Sequence, residues 1–112
     1  MELTIRDYYK AAKRTMNPKL TWDETRAHAI LGMVSEIGEV CGIFQKKYQG
    51  HDVNRKRVMD EMGDAAWFWM ELCFAMQLDP QEVLEYNIHK LESRYPDGFS
   101  PERSVHRPEY EK

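Results

Sequence analysis

Glu36-Ile37-Gly38-Glu39 and Glu61-Met62-Gly63-Asp64 open and close the stretch that decides the fold. Each end carries two acids three residues apart among apolar and small residues. At about 100° per residue such a pair lies on one helical face, where like charges repel. Two helices turning these pairs toward each other would enclose four carboxylates, a cluster that needs protonation or a bound cation. An all-oxygen cage suits a hard divalent ion, Mg²⁺ first and Mn²⁺ second. No His follows any of these acids by three residues, so the Glu-x-x-His of di-iron bundles is missing. Acids at this spacing are also common on solvated helix faces. Here both pairs sit beside apolar stripes, and each contains a Gly that costs its helix about 1 kcal/mol relative to Ala. Gly38 and Gly63 are therefore expected to allow close helix approach or to leave room for a ligand.

Working outward, apolar spacing places a helix over about 22–48, with Ala27, Ile30, Val34, Ile37, Cys41 and Phe44 as its core stripe. Thr21-Trp22-Asp23-Glu24 has the capping-box form at its start, and Gln49-Gly50-His51-Asp52 stops it. A further helix runs from about Asn54 to Leu78, with Val58, Met62, Ala65, Trp69, Leu72 and Met76 at helical spacing. Arg55, Lys56 and Arg57 near its start oppose the helix dipole, which suggests an acidic neighbour or a use. Before these, Leu3 to about Met16 reads as a helix with Ile5, Tyr8, Tyr9 and Ala12 on one side, ended by Asn17-Pro18. After them, Asp79-Pro80-Gln81-Glu82 caps a helix through about Arg94 that carries Val83, Leu84, Asn87, Ile88 and Leu91. Residues from about 95 to 112 read as a turn-rich tail that frays from Glu109. No β alternation, repeat or low-complexity segment appears. The expectation is one all-α domain over 1–112, with about four main helices and the tail.

The 112 residues suffice for a modest core, and 16 basic against 19 acidic side chains leave a net charge of −3. That balance argues against nonspecific nucleic-acid binding, and the basic run at Arg55–Arg57 is short for a helix-turn-helix reader. Cys41 and Cys73 both fall in apolar helical patterns and read as reduced core thiols. There is no signal-peptide pattern and no continuous apolar run of membrane length, so a soluble cytoplasmic protein with no membrane partner is expected. The 7 Met and 3 Trp suit a helical core or an interface between subunits.

Basic residues add a second element. Lys47 lies nearly in line with Glu36 by angular count, and Asn87, Lys90 and Arg94 share a face through steps of three and four. A metal cage flanked by such a grip is what a polyphosphate requires. Trp67 and Phe68, three and four residues after Asp64, and Tyr95 are candidates for stacking on a base, although core or interface packing is the commoner role of such rings. His28, His51, His89 and His106 share no ligand spacing and read as surface or turn residues. Glu71, two turns beyond Asp64, reads as solvated, with a second option of orienting a water.

Taken in order, Glu36-x-x-Glu39, Glu61-x-x-Asp64 and Asn87-x-x-Lys90-x-x-x-Arg94-Tyr95-Pro96-Asp97-Gly98-Phe99 resemble the MazG-like all-α nucleoside triphosphate pyrophosphohydrolases. Asp60 departs from the family's more usual Glu. The resemblance implies a four-helix bundle packed as a homodimer, homotetramer or other oligomer. It implies Mg²⁺ held by Glu36, Glu39, Glu61 and Asp64, with phosphates met by Asn87, Lys90, Arg94 and, more weakly, Lys47. The implied reaction is hydrolysis of a nucleoside triphosphate to monophosphate and pyrophosphate by a metal-activated water, in cleaning or controlling nucleotide pools. Two alternatives stay open: hydrolysis of another polyphosphorylated nucleotide such as an alarmone, and a non-catalytic regulatory protein that binds nucleotide or metal.

Overall fold

Helices account for nearly all the regular structure in this computed structural model, which describes residues 1–107. They are α1 (Ile5–Lys13), α2 (Trp22–Lys47), α3 (Arg55–Ala75), α4 (Pro80–Arg94) and α5 (Pro101–Val105). Among the described residues there is no strand, only an isolated bridge between Pro96 and Gly98, so the all-α expectation holds. Residues 108–112, the end of the expected tail, lie outside the described residues.

Side-chain caps set the helix starts. At α2, the Thr21 hydroxyl accepts from the Glu24 N–H at 3.1 Å, and Glu24 Oε1 accepts from the Thr21 N–H at 2.9 Å. Thr4 and Asp7 build the same box on α1, which the stripe alone did not locate. Asn54 accepts from the N–H groups of Lys56 and Arg57 at 3.1 and 3.2 Å. Asp79 accepts from Gln81 N–H at 2.9 Å with Pro80 in the first turn. The short helix α5 corrects the expectation of a tail made of turns alone. Ser100-Pro101 there repeats the Asp79-Pro80 arrangement, and the Ser100 hydroxyl accepts from Arg103 N–H at 3.3 Å.

α3 stops three residues before the expected Leu78 because the chain closes a Schellman turn. Leu78 N–H bonds Cys73 O at 2.8 Å and Gln77 N–H bonds Phe74 O at 3.0 Å. Gln77 takes the left-handed conformation there, φ 55°, at a position that usually holds Gly.

The chain divides into two compact units, residues 1–78 and the residues from Asp79 onward. In the first, α2 and α3 pair along their lengths and α1 packs on α3. His28 meets Glu71, Gly32 meets Phe68, and Glu36 and Glu39 meet Glu61, so α2 and α3 run antiparallel. Ala12, Met16 and Met70 form a buried cluster, with Ile5, Tyr8, Tyr9, Trp67, Trp69 and Phe74 around it. The second unit holds α4 and α5, with the Tyr95 and Phe99 rings 5.6 Å apart in the turn between them.

The stripe expected to be the core of α2 is not its inner face. Ile30, Val34, Ile37 and Phe44 are exposed, Val34 by 68%, as are Ala27 and Cys41. The residues that turn inward are Thr25, Ala29, Gly32, Glu36 and Ile43, about one position out of phase. One residue rotates a helix by about 100°, enough to exchange an inner for an outer face. Cys41 is accordingly exposed, whereas Cys73 is buried as expected. On α3, Met62 and Met76 also face outward, while Val58, Ala65, Trp69 and Leu72 are partly buried. By length and composition alone α2 would reach across a bilayer, although Glu36 and Glu39 interrupt its apolar residues.

Candidate functional site

Glu36 and Glu39 from α2 and Glu61 from α3 bring one carboxylate oxygen each into a group whose members all lie within 4.8 Å of one another. Helical spacing explains the convergence: Glu36 belongs to the inward series of α2, and Glu39 follows it by three residues. The antiparallel pairing then carries Glu61 opposite both. Glu61 lies within hydrogen-bonding reach of Glu36 and of Glu39. Its proton affinity is raised, first by the Glu36 carboxyl and then by loss of hydration and the charges of Glu36 and Asp64, with Glu39 opposing. Glu39 is raised chiefly by hydrogen bonding with Glu61 and by its charge, while Arg57 pulls the other way. The Arg57 effect gives the basic start of α3 the acidic neighbour its sequence suggested.

Glu36 Oε2 is buried and, among the described residues, has no hydrogen-bond partner. A buried oxygen left in that state costs about 1–3 kcal/mol, and more if charged. Repelling carboxyls around an orphaned oxygen are the donor set of a hard cation, so these residues fit one. Asp64, the fourth expected ligand, is exposed and stands outside the close trio, although its charge raises both Glu39 and Glu61. It lines a pocket of about 300 Å³ with Glu36, Thr15, Trp67 and Phe68. Tyr8, on α1, has its phenol raised by burial and then by the Asp64 charge.

The glycines within the acidic pairs do not serve close packing, since among the described residues a Cβ at Gly38 or Gly63 would meet nothing within 4 Å. Close approach occurs at Gly32, where a Cβ would collide with the Phe68 ring. Gly63 instead borders a second groove of about 750 Å³ with Phe44, Val53, Arg55, Val58, Met59 and Met62.

The remaining expected residues divide between the two units. Trp67 and Phe68 reach the pocket beside the acids, their rings 5.1 Å apart and nearly perpendicular at 89°. Lys47 is the exposed last residue of α2, about 12 Å along the axis from Glu39 by helical rise. Asn87 and Lys90 are exposed on α4, Arg94 ends that helix half-buried, and Tyr95 caps it. These four belong to the second unit.

One neighbour departs from its sequence reading and another was missed by it. Glu71 is completely buried, not solvated, and His28 Nδ1 lies 2.7 Å from its Oε1. Thr15 accepts from the Trp67 indole N–H at 2.8 Å. The three- and four-residue steps from Glu61 through Asp64 and Trp67 to Glu71 were a usable signal that Glu71 shares the inner face of α3. Nothing in the α1–α2 connection marked Thr15.

No family model matches this chain. The chain is similar to the Gene 37 protein of Mycobacterium phage L5, 28% identical over 80 residues that cover 67% of this chain and 70% of that protein. No solved structure matches.

Proposed function

We propose that this chain is a divalent-metal-dependent nucleoside triphosphate pyrophosphohydrolase of the MazG-like all-α class, releasing pyrophosphate and leaving the monophosphate. The observation that carries the reading is the trio Glu36, Glu39 and Glu61, with raised proton affinity at two members and an orphaned buried oxygen at the third. Glu36, Glu39 and Glu61 would hold Mg²⁺, or Mn²⁺ in its place, with Asp64 as the fourth acid. When bound, the ion supplies Lewis acidity toward a phosphoryl oxygen and a water acidified toward neutrality.

The chain's own residues divide the remaining work. Lys90 and Arg94, with Asn87, bind the phosphates, Arg94 offering a fork that matches two phosphoryl oxygens at once. Lys47 is a further phosphate contact. Trp67 and Phe68 supply aromatic surface for the base beside Asp64 and Glu36, and Tyr95 is the third ring candidate. The exposed aliphatic face of α2 supports a bundle completed by a second copy, as homodimer or homotetramer.

The test is a panel of nucleoside triphosphates incubated with the protein and Mg²⁺, with monophosphate and pyrophosphate both quantified. Glu61→Gln is expected to lower kcat/KM by about a hundredfold or more while leaving the far-UV circular dichroism unchanged. Full activity in that variant would overturn the proposed site.

A further inference from the structure

A continuous series of contacts outside the acid trio fixes the rings that border it. Thr15 Oγ1 donates to Ala12 O at 2.9 Å and accepts from Trp67 Nε1–H at 2.8 Å. Trp67 meets Phe68 edge to face. Phe68 in turn packs against the backbone of Gly32 and against the His28 ring, at 5.5 Å and 57°. His28 is held at Nδ1 by Glu71 Oε1 at 2.7 Å. Trp67 and Phe68 are therefore clamped from both sides, by the end of α1 and by the His28–Glu71 pair, where they wall the pocket shared with Glu36 and Asp64.

Simple adhesion of α2 to α3 does not require this pair. Glu71 is 0% exposed, and among the described residues its Oε2 has no partner. A buried carboxyl is costly, and an aliphatic pair of similar volume is often as stabilising or more so. What a hydrogen-bonded imidazole adds is direction. A ring tied at one nitrogen is restricted in its rotation, and it presents a fixed flank to Phe68.

We propose that His28 and Glu71 are positioning residues that hold the Phe68–Trp67 wall in the orientation that receives the planar base of the substrate, and so set base preference. The proposal rests on the pyrophosphohydrolase reading above. A pair of this kind acts on the base end of the ligand and leaves the phosphate end unchanged. That separation gives the test its readout.

The full-length chain carrying Glu71→Leu, His28→Ala or Glu71→Gln is compared with the wild type in three measurements. These are kcat and KM for purine and pyrimidine triphosphates, inhibition by inorganic tripolyphosphate, and metal-free binding of nucleoside monophosphates followed by quenching of tryptophan emission. Glu71→Leu and His28→Ala are expected to raise the preferred KM and the monophosphate Kd by about tenfold, the scale of a stacking contact. Their kcat and their Ki for tripolyphosphate should stay within about twofold of wild type. Glu71→Gln keeps an acceptor for the imidazole N–H and should stay near wild type in all three. Should Glu71→Leu lose its helical signal, His28→Ala, altered at an exposed position, decides the matter alone. Unchanged KM in the folded variants, or a tripolyphosphate Ki that rises with KM, overturns the positioning role. A wild type that turns over no nucleoside triphosphate overturns the functional reading itself, a different and separately visible result.

Discussion

Glu61 is the residue on which the acid trio turns, since it meets both carboxyls of α2. Its raised proton affinity and that of Glu39 have a definite consequence for stability. Both bind a proton more tightly in the folded than in the unfolded chain, so the folded state carries more protons just above the ordinary carboxylate value of 4.5. Stability of the metal-free protein therefore falls as pH rises from about 4.5 through the raised native values. Glu24 has the opposite sign. Its carboxylate is held low by the Thr21 backbone and hydroxyl, so its contribution is present above 4.5 and is lost as pH falls through its native value. The two effects occupy different windows, which makes the first separable. Thermal melts in EDTA between pH 5 and 7 should show wild-type Tm declining with pH. Glu61→Gln should flatten that decline and melt higher than wild type at pH 7. At pH 7, added Mg²⁺ should raise the wild-type Tm and leave that of Glu61→Gln nearly unmoved. The pairing of acids was legible because three-residue spacing survives any rotation of the helix. The exclusion of Asp64 from the close trio was not, because it depends on where α3 lies against α2.

At the scale of the elements, α2 and α3 owe their close approach to Gly32, not to the glycines among the acids. Gly32→Ala places a methyl in the Phe68 ring, and overpacking of that kind costs about 1–3 kcal/mol. A better helix propensity returns up to about 1 kcal/mol of this. A net loss of about 1–2 kcal/mol is expected in urea unfolding, with Phe68 displaced from its pocket. Gly38→Ala and Gly63→Ala meet open space and should instead gain about 0.5–1 kcal/mol each. Equal effects at all three positions would refute this division. The starts of α2, α3 and α4 were readable to within a residue, because Thr21, Asn54 and Asp79 act on N–H groups only two or three residues away. The end of α3 was not, since a Gln in the left-handed conformation leaves no glycine to mark it.

Across the first unit, the exposed aliphatic residues of α2 are the feature most in need of a partner. Leu31, Val34 and Ile37 are 70%, 68% and 56% exposed on one long helix, next to the acid trio. Monomeric proteins rarely leave so contiguous an apolar face in water. Light scattering on the purified protein should therefore give a dimer or larger species. Leu31→Asp with Val34→Asp should shift it to monomer while the α2–α3 pair keeps its helical signal. A monomeric wild type would remove this face as an interface. The amino-acid sequence by itself determined the class, the main helices and the acids as a group, because caps and helical spacing act within one or two turns of chain. Only the tertiary structure decided which side of α2 faces α3, since a single-residue phase difference exchanges inner and outer faces. That packing turned Ile30, Val34 and Phe44 outward, buried Glu71 against His28, and set Trp67 and Phe68 beside the carboxylates.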